Sequence, residues 1–176
     1  LSGKDLTGTI LKGADLSNAN LTGIDLSGKN LTGTILVGVD LSGKDFTGTI
    51  LTRANLSNAN LTGIDLSGKD FTGTILVGVD LSNTDLSNAI LINVNLENAT
   101  LENAKLLDTN LDSANLTNTD LRFVLLVDAN LSNAILTGAD LTNAVLTGAI
   151  LTGSDLENAV LTNAILNCVG HPICIE

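Results

Sequence analysis

Leu or Phe falls on every fifth position from Leu1 to Leu166, 34 times in succession and without an insertion. Phe46 and Phe71 are the two departures from Leu. Two residues before each of these centres the side chain is usually small. Of 33 such positions, 15 are Ala, 7 Thr and 1 Ser. Asp or Asn mostly precedes the centre and Ser, Thr or Glu mostly follows it, with Gly or Asn one further on. Neither regular element tolerates this spacing. On an α-helix five residues advance a side chain by about 500°, so the centres would spiral around the axis. In a flat strand they would alternate faces, because five is odd and the period is two. A chain that turns a corner every five residues meets the pattern, with the centre and the small residue pointing inward and the other three outward. Gly and Asn at one fixed position supply the positive φ that such corners require.

The pattern A-(D/N)-L-x-x recurs as Ala14-Asp15-Leu16, Ala59-Asn60-Leu61, Ala114-Asn115-Leu116 and Ala139-Asp140-Leu141. It resembles the pentapeptide-repeat family over residues 1 to about 170. The resemblance implies an all-β fold, a right-handed quadrilateral parallel β-helix with four pentapeptides per coil. On that geometry 34 repeats make about 8.5 coils, and coils spaced like neighbouring strands give a rod roughly 40 Å long. One coil buries nothing alone, so the array is the folding unit and its ends need caps. The family is abundant in cyanobacteria, and many of its members have no assigned function.

Residues 1–40 and 41–80 agree at 34 of 40 positions, two coils on this reading, and the match looks like a recent duplication. Beyond residue 80 the inward small position is mostly Ala, and Asn largely replaces Gly at the turn. The expected organisation is one β-helix over 1–170, built of sub-arrays 1–80 and 81–170 in continuous register, followed by a C-terminal tail at 171–176. Gly170 and Pro172 interrupt the pattern.

Composition narrows the function. Hydrophobic residues make up 44% and aromatics 2%, so the core is narrow and made from one repeated aliphatic shape. A net charge of −11 argues against direct contact with nucleic acid, which needs clustered Lys and Arg, and against an anionic membrane surface. It suits a basic partner. No apolar run reaches the roughly 18 residues that a membrane span needs. The cytoplasm is the expected compartment.

Little points to catalysis. With one His and no implied cleft, no catalytic residue, cofactor site or metal site is read, and the protein is expected not to be an enzyme. Cys168, His171 and Cys174 offer three ligands where a structural zinc needs four. Free thiols in a cap are the first reading for the two cysteines, with a disulfide or a metal as alternatives. Lys4, Lys29, Lys44 and Lys69 fall on the inward small position. Their stems should line the corner while the amines reach out to Asp neighbours.

Residues twenty apart should stack. Asp5, Asp25, Asp45, Asp65 and Asp85 then form an exposed acidic column, in which screening and outward rotation keep the repulsion small. The same column continues as Lys105, Leu125, Val145 and Ile165. With Leu107, Phe123 and Val127 it makes an apolar patch on the C-terminal third. The patch is either an interface, with an unidentified protein partner or as a homodimer, or a surface that the tail folds back to cover. The leading function is a structural or protein-interaction rod. The alternative is a DNA mimic that binds a type II topoisomerase such as DNA gyrase, as some acidic members of the family do. Against it, B-DNA carries roughly 24 charges over this length, and the protruding loops of the family's topoisomerase-directed members are missing.

Overall fold

The computed structural model describes residues 1–6 and 8–174. No α-helix or long strand occurs among them; the chain is held by single parallel β-bridges between successive coils. Each bridge from Asp15↔Ile35 to Val145↔Ile165 joins a residue to the one twenty further on, four pentapeptides away. The bridged residue is always the one just before a centre.

Three hydrogen bonds repeat around the coil. The ladder is seen at Leu16, whose N–H donates to Ile35 O at 2.8 Å, while Ile35 N–H returns to Ala14 O at 2.9 Å. At each corner a turn closes from the centre's carbonyl to the N–H three residues on, as in Ala14 N–H to Leu11 O at 2.9 Å. The third residue of that turn has positive φ, between 53° and 72° at every corner from Gly3 to Asn163. A turn with positive φ at that place alone is type II, which selects Gly and Asn. This accounts for the Gly-or-Asn position in the sequence.

The Asp-or-Asn position has an equally local cause. Oδ1 of Asp15 accepts the Ser17 N–H at 2.9 Å and the Ser17 hydroxyl at 2.6 Å. Asn60 does the same for Thr62, at 3.0 and 2.6 Å. A short side-chain acceptor before the centre and a hydroxyl after it thus brace the sides of the coil on which they occur.

The centres from Leu11 to Leu151 are buried, most of them at 0–1% exposure, with Phe46 and Phe71 among them. The small residues pack beside them. Where that residue is Thr, its hydroxyl mostly donates to the carbonyl of a centre one coil earlier, as Thr34 does to Leu11 O at 2.9 Å and Thr109 to Leu86 O at 2.8 Å; Thr84 donates instead to Leu81 O of its own corner. No buried side-chain donor or acceptor among the described residues lacks a partner.

Three of the inward lysines, Lys29, Lys44 and Lys69, also turn to main-chain carbonyls of the preceding coil, which corrects the expectation that their amines reach out to Asp. Nζ of Lys29 donates to Leu6 O at 3.1 Å, and Lys44 donates to Leu21 O at 2.7 Å and Ile24 O at 3.1 Å. Lys69 reaches Thr49 O at 3.4 Å. The stems are half-buried, and an inward polar group finds carbonyls of the preceding coil nearer than any carboxylate. Asp25, Asp45 and Asp65 feel these amines as nearby charge.

The last coil departs from the rule. Val169 pairs with Ile150, nineteen residues apart rather than twenty. The chain then turns, with Cys174 N–H donating to His171 O at 3.0 Å, and packs half-buried Ile173 and Cys174 against the end of the core. Cys168 and Cys174 form a disulfide with their Cα atoms 4.9 Å apart. The expectation of free thiols is therefore corrected. The turn at His171 brings the two residues within bonding distance, and with both sulfurs bonded to each other no thiolate is left for a metal.

Candidate functional site

The column that begins at Asp5 lies on one side of the coil, and bridges join Asp65 to Asp85, Asp85 to Lys105, Lys105 to Leu125, Leu125 to Val145 and Val145 to Ile165. Two residues further along the same side run Leu107 and Val127. Phe123 occupies the preceding corner. Leu107, Leu125, Val127 and Val145 are half-buried, whereas Phe123 is 46% and Ile165 48% exposed. Ile165 stays open while Ile173 and Cys174 of the expected tail pack on the core; residues 175–176 lie outside the described residues.

Other large apolar residues are exposed, but differently. Ile35, Ile75 and Ile135 share one column, and Ile50, Ile90 and Ile150 another. Polar residues interrupt both columns, for example Asn55 between Ile35 and Ile75. The sequence reading passed over these isoleucines. The column of Leu125, Val145 and Ile165 differs in that its three aliphatic side chains stack on consecutive coils.

Phe123 carries a second signal. Its φ is +58° at a corner where Asn103 and Asn143 stand one coil before and one coil after. A bulky residue in the left-handed region is strained, and such strain concentrates where a surface is used. Phe123→Asn is expected to raise stability by about 1 kcal/mol, read from urea unfolding. A loss of stability would show that the ring is part of the packing.

Four of the five carboxylates in the acidic half of the column have a structural role. Asp25, Asp45, Asp65 and Asp85 each accept the N–H two residues on, at 2.8, 2.7, 2.9 and 3.0 Å. Hydrogen bonds from Ser27, Thr47, Ser67 and Ser87 are the main reason that all four carboxyls titrate below the ordinary value of 3.8. A carboxyl depressed in the folded state stabilises the fold above its unfolded pKa, and that contribution is lost as pH falls through the folded value. The melting temperature should therefore hold from neutral pH down to about 4 and decline below it. Replacing all four by Asn keeps the acceptor, so at neutral pH the melting temperature should change little, while the acid decline becomes shallower. A large drop at neutral pH would mean that the negative charge itself matters.

Around the apolar stretch the charges are unevenly engaged. Lys105 pairs with Asp85 at 3.6 Å. Arg122 pairs with Asp120 at 2.7 Å and Glu102 at 3.3 Å, and Asp120 in turn is lowered first by that side-chain hydrogen bond. Asp108 and Asp128 stand exposed at the far corner, and no ion pair engages them among the described residues. The sequence reading missed this rim, although twenty-residue counting would have placed it.

No cluster of three metal-ligating residues occurs among the described residues, and no helix is long and apolar enough to cross a membrane. Open depressions lie instead over the N-terminal coils, one lined by Lys4, Asp5, Asp25 and Lys29 and another by Lys44, Asp45, Asp65 and Lys69.

The profile for pentapeptide repeats matches in eight copies, spread over residues 1–28, 14–53, 28–63, 54–93, 65–103, 89–125 and 125–163. This chain belongs to the pentapeptide-repeat family. Solved structures of family members resemble it. HetL, a pentapeptide-repeat protein involved in heterocyst differentiation regulation in the cyanobacterium Nostoc sp., is 28% identical over 94% of this chain and 92% of its own, with a TM-score of 0.43. Rfr23 from the cyanobacterium Cyanothece 51142 is 34% identical over 82% of this chain and 90% of its own, with a TM-score of 0.37. The pentapeptide-repeat protein AT2G44920 from the Arabidopsis thaliana thylakoid lumen is 34% identical over 58% of this chain and 68% of its own, with a TM-score of 0.42. No curated protein sequence matches the chain. Family membership accounts for the corners, the braces and the Leu ladder. The aliphatic stack on the C-terminal coils follows from none of these.

Proposed function

We propose that this pentapeptide-repeat chain is a non-enzymatic protein-interaction rod whose docking face is the C-terminal stack of Leu125, Val145 and Ile165 with Leu107, Val127 and Phe123. In this reading the rod is a right-handed, four-sided β-helix of about 8.5 coils. Sub-array 1–80 serves as a polar extension and 81–170 carries the face. The contiguity of the aliphatic stack on three consecutive coils carries the proposal, since contiguous exposed apolar surface marks interfaces where scattered apolar residues do not. Proximity cross-linking from a photoreactive residue placed at Val145 in cells, compared with one placed on the opposite side, tests it. A specific cross-linked protein from position 145 supports the face; identical patterns from both sides would sink it.

A DNA mimic acting on a type II topoisomerase is the second reading. The direct stacking of Asp65 on Asp85 favours it. The column's change to Lys105 and then to aliphatic residues weighs against it, because a mimic needs continuous charge. A gyrase supercoiling assay titrated with the protein separates the two readings, with no inhibition expected for the interaction rod.

The cytoplasm is the compartment read from the sequence. The bonded Cys168–Cys174 pair instead suits an oxidising compartment. Thiol labelling in a freshly quenched extract distinguishes the two.

A further inference from the structure

Charge sorts the occupants of the docking face. Residues 101–176 hold nine carboxylate side chains and two basic ones, a net charge of −7 out of −11 for the chain. Both basic residues, Lys105 and Arg122, are already paired with this chain's own carboxylates. Asp108 and Asp128 form an exposed acidic rim along the corner beside Leu107 and Val127. The same residues of a second copy would bring −7 against −7, with neither of their two basic residues free to offset it. Its apolar stretch, roughly 14 Å by 7 Å, also falls short of the about 800 Å² per partner that a stable dimer needs.

The geometry sorts them further. The apolar positions run over four consecutive coils, from Leu107 through Leu125 and Val145 to Ile165, in rungs about 4.8 Å apart and roughly 14 Å in all. The two columns are two residues, or about 7 Å, apart. An amphipathic helix presents its apolar stripe at about 5.4 Å per turn, so some three turns cover this face. A Lys or Arg on the flank of the helix then meets Asp108 and Asp128. Phe123, held in a strained conformation, stands at the opposite edge.

We propose that this face docks a cationic amphipathic helix of another protein, aliphatic residues against the Leu125–Val145–Ile165 stack and basic residues against the rim of Asp108 and Asp128. The proposal rests on the interaction-rod reading and names the chemistry of the partner. Bulk hydrophobic contact supplies the affinity, and the rim fixes which way the helix lies and rejects acidic helices.

The test is fluorescence titration of a labelled 18-residue Leu/Lys helical peptide, its sequence-scrambled isomer and a Leu/Glu counterpart against the whole chain. Leu125→Lys is the central variant. Its column already holds Lys105 one coil earlier, so the fold should tolerate it, and the melting temperature of the variant checks this. The wild type is expected to bind the Leu/Lys peptide at least roughly tenfold more tightly than Leu125→Lys does, and more tightly than it binds the scrambled isomer. Asp108→Asn with Asp128→Asn should weaken binding several-fold at low salt and little at high salt. Equal binding by the scrambled peptide or by Leu125→Lys would reduce the effect to general acidity and overturn the inference. So would no binding up to roughly 1 mM. Sedimentation of the peptide-free protein separates the two levels. A dimer abolished by Leu125→Lys would overturn the helical occupant while leaving the interaction face standing, and a monomer is the expected result.

Discussion

Shortening Leu101 to Ala is expected to cost the array between about 2 and 5 kcal/mol. Leu101 is fully buried in the middle of the array, and twenty-residue stacking places Leu81 and Leu121 above and below it. Each of these is itself buried, at 0% and 1% exposure, so no solvent-facing neighbour can collapse into the gap. In a solenoid the effect is sharper than in a globular core, because every coil touches only its two neighbours and a weak coil interrupts the coupling between the two halves. Leu161→Ala is the control. Leu161 is only half-buried near the end of the core, and its loss should cost a fraction as much. Urea unfolding of both variants checks the pair. A Leu101→Ala cost below about 1 kcal/mol would mean that the interior is loosely filled.

The second large effect is at the cap. Replacing Cys168 by Ser, or reducing the protein, is expected to remove about 2 kcal/mol from the C-terminal end. The closed loop spans a sequence separation of 6, which puts the expected loss at the small end of the range for disulfides. The loss should be local. Leu151 N–H donates to Val169 O at 2.8 Å and Gly148 N–H to Asn167 O at 2.7 Å, so these amides should exchange with solvent faster once the pair is open. Amides such as Leu91 and Leu96, several coils away, should keep their protection. Hydrogen exchange with and without reductant reads this directly. Uniform acceleration along the whole chain would show that the cap governs global stability.

The sequence disclosed whatever repeats. A five-residue period without insertions leaves few arrangements that bury every centre, so the inward Leu and the corner positions were legible from Leu1 to Leu166. The stacking interval of twenty came with the family resemblance, and with it the column from Asp65 to Ile165 could be counted out. Single events were not legible. The Cys168–Cys174 bond depends on a turn at His171 that occurs once, and no periodicity announces it. The lysines were assigned to the right position but to the wrong acceptor, since the pattern says which way a side chain points and not that a main-chain carbonyl of the preceding coil lies nearest. The Asp column looked like a surface feature because its charge is visible in the letters. Its hydrogen bond to the N–H two residues on is visible only in three dimensions, where Asp and Asn prove interchangeable as braces. The apolar column was found by counting, yet its exposure could not be, because whether the tail covered Ile165 depended on the path of residues 169–174.

The nineteen-residue step from Ile150 to Val169 has a consequence for how such a chain can change in length. Upstream, coils are interchangeable modules, and a segment of twenty residues can be copied or deleted without disturbing the phase of its neighbours, as the near-identity of 1–40 and 41–80 illustrates. After Val169 the count is one short, so a module spliced there would enter with its leucines turned toward water and its braces turned toward the core. The missing residue therefore works as punctuation. Growth and shrinkage in register are confined to the coils before it, and the aliphatic column keeps a fixed distance from that step, however many coils are added upstream.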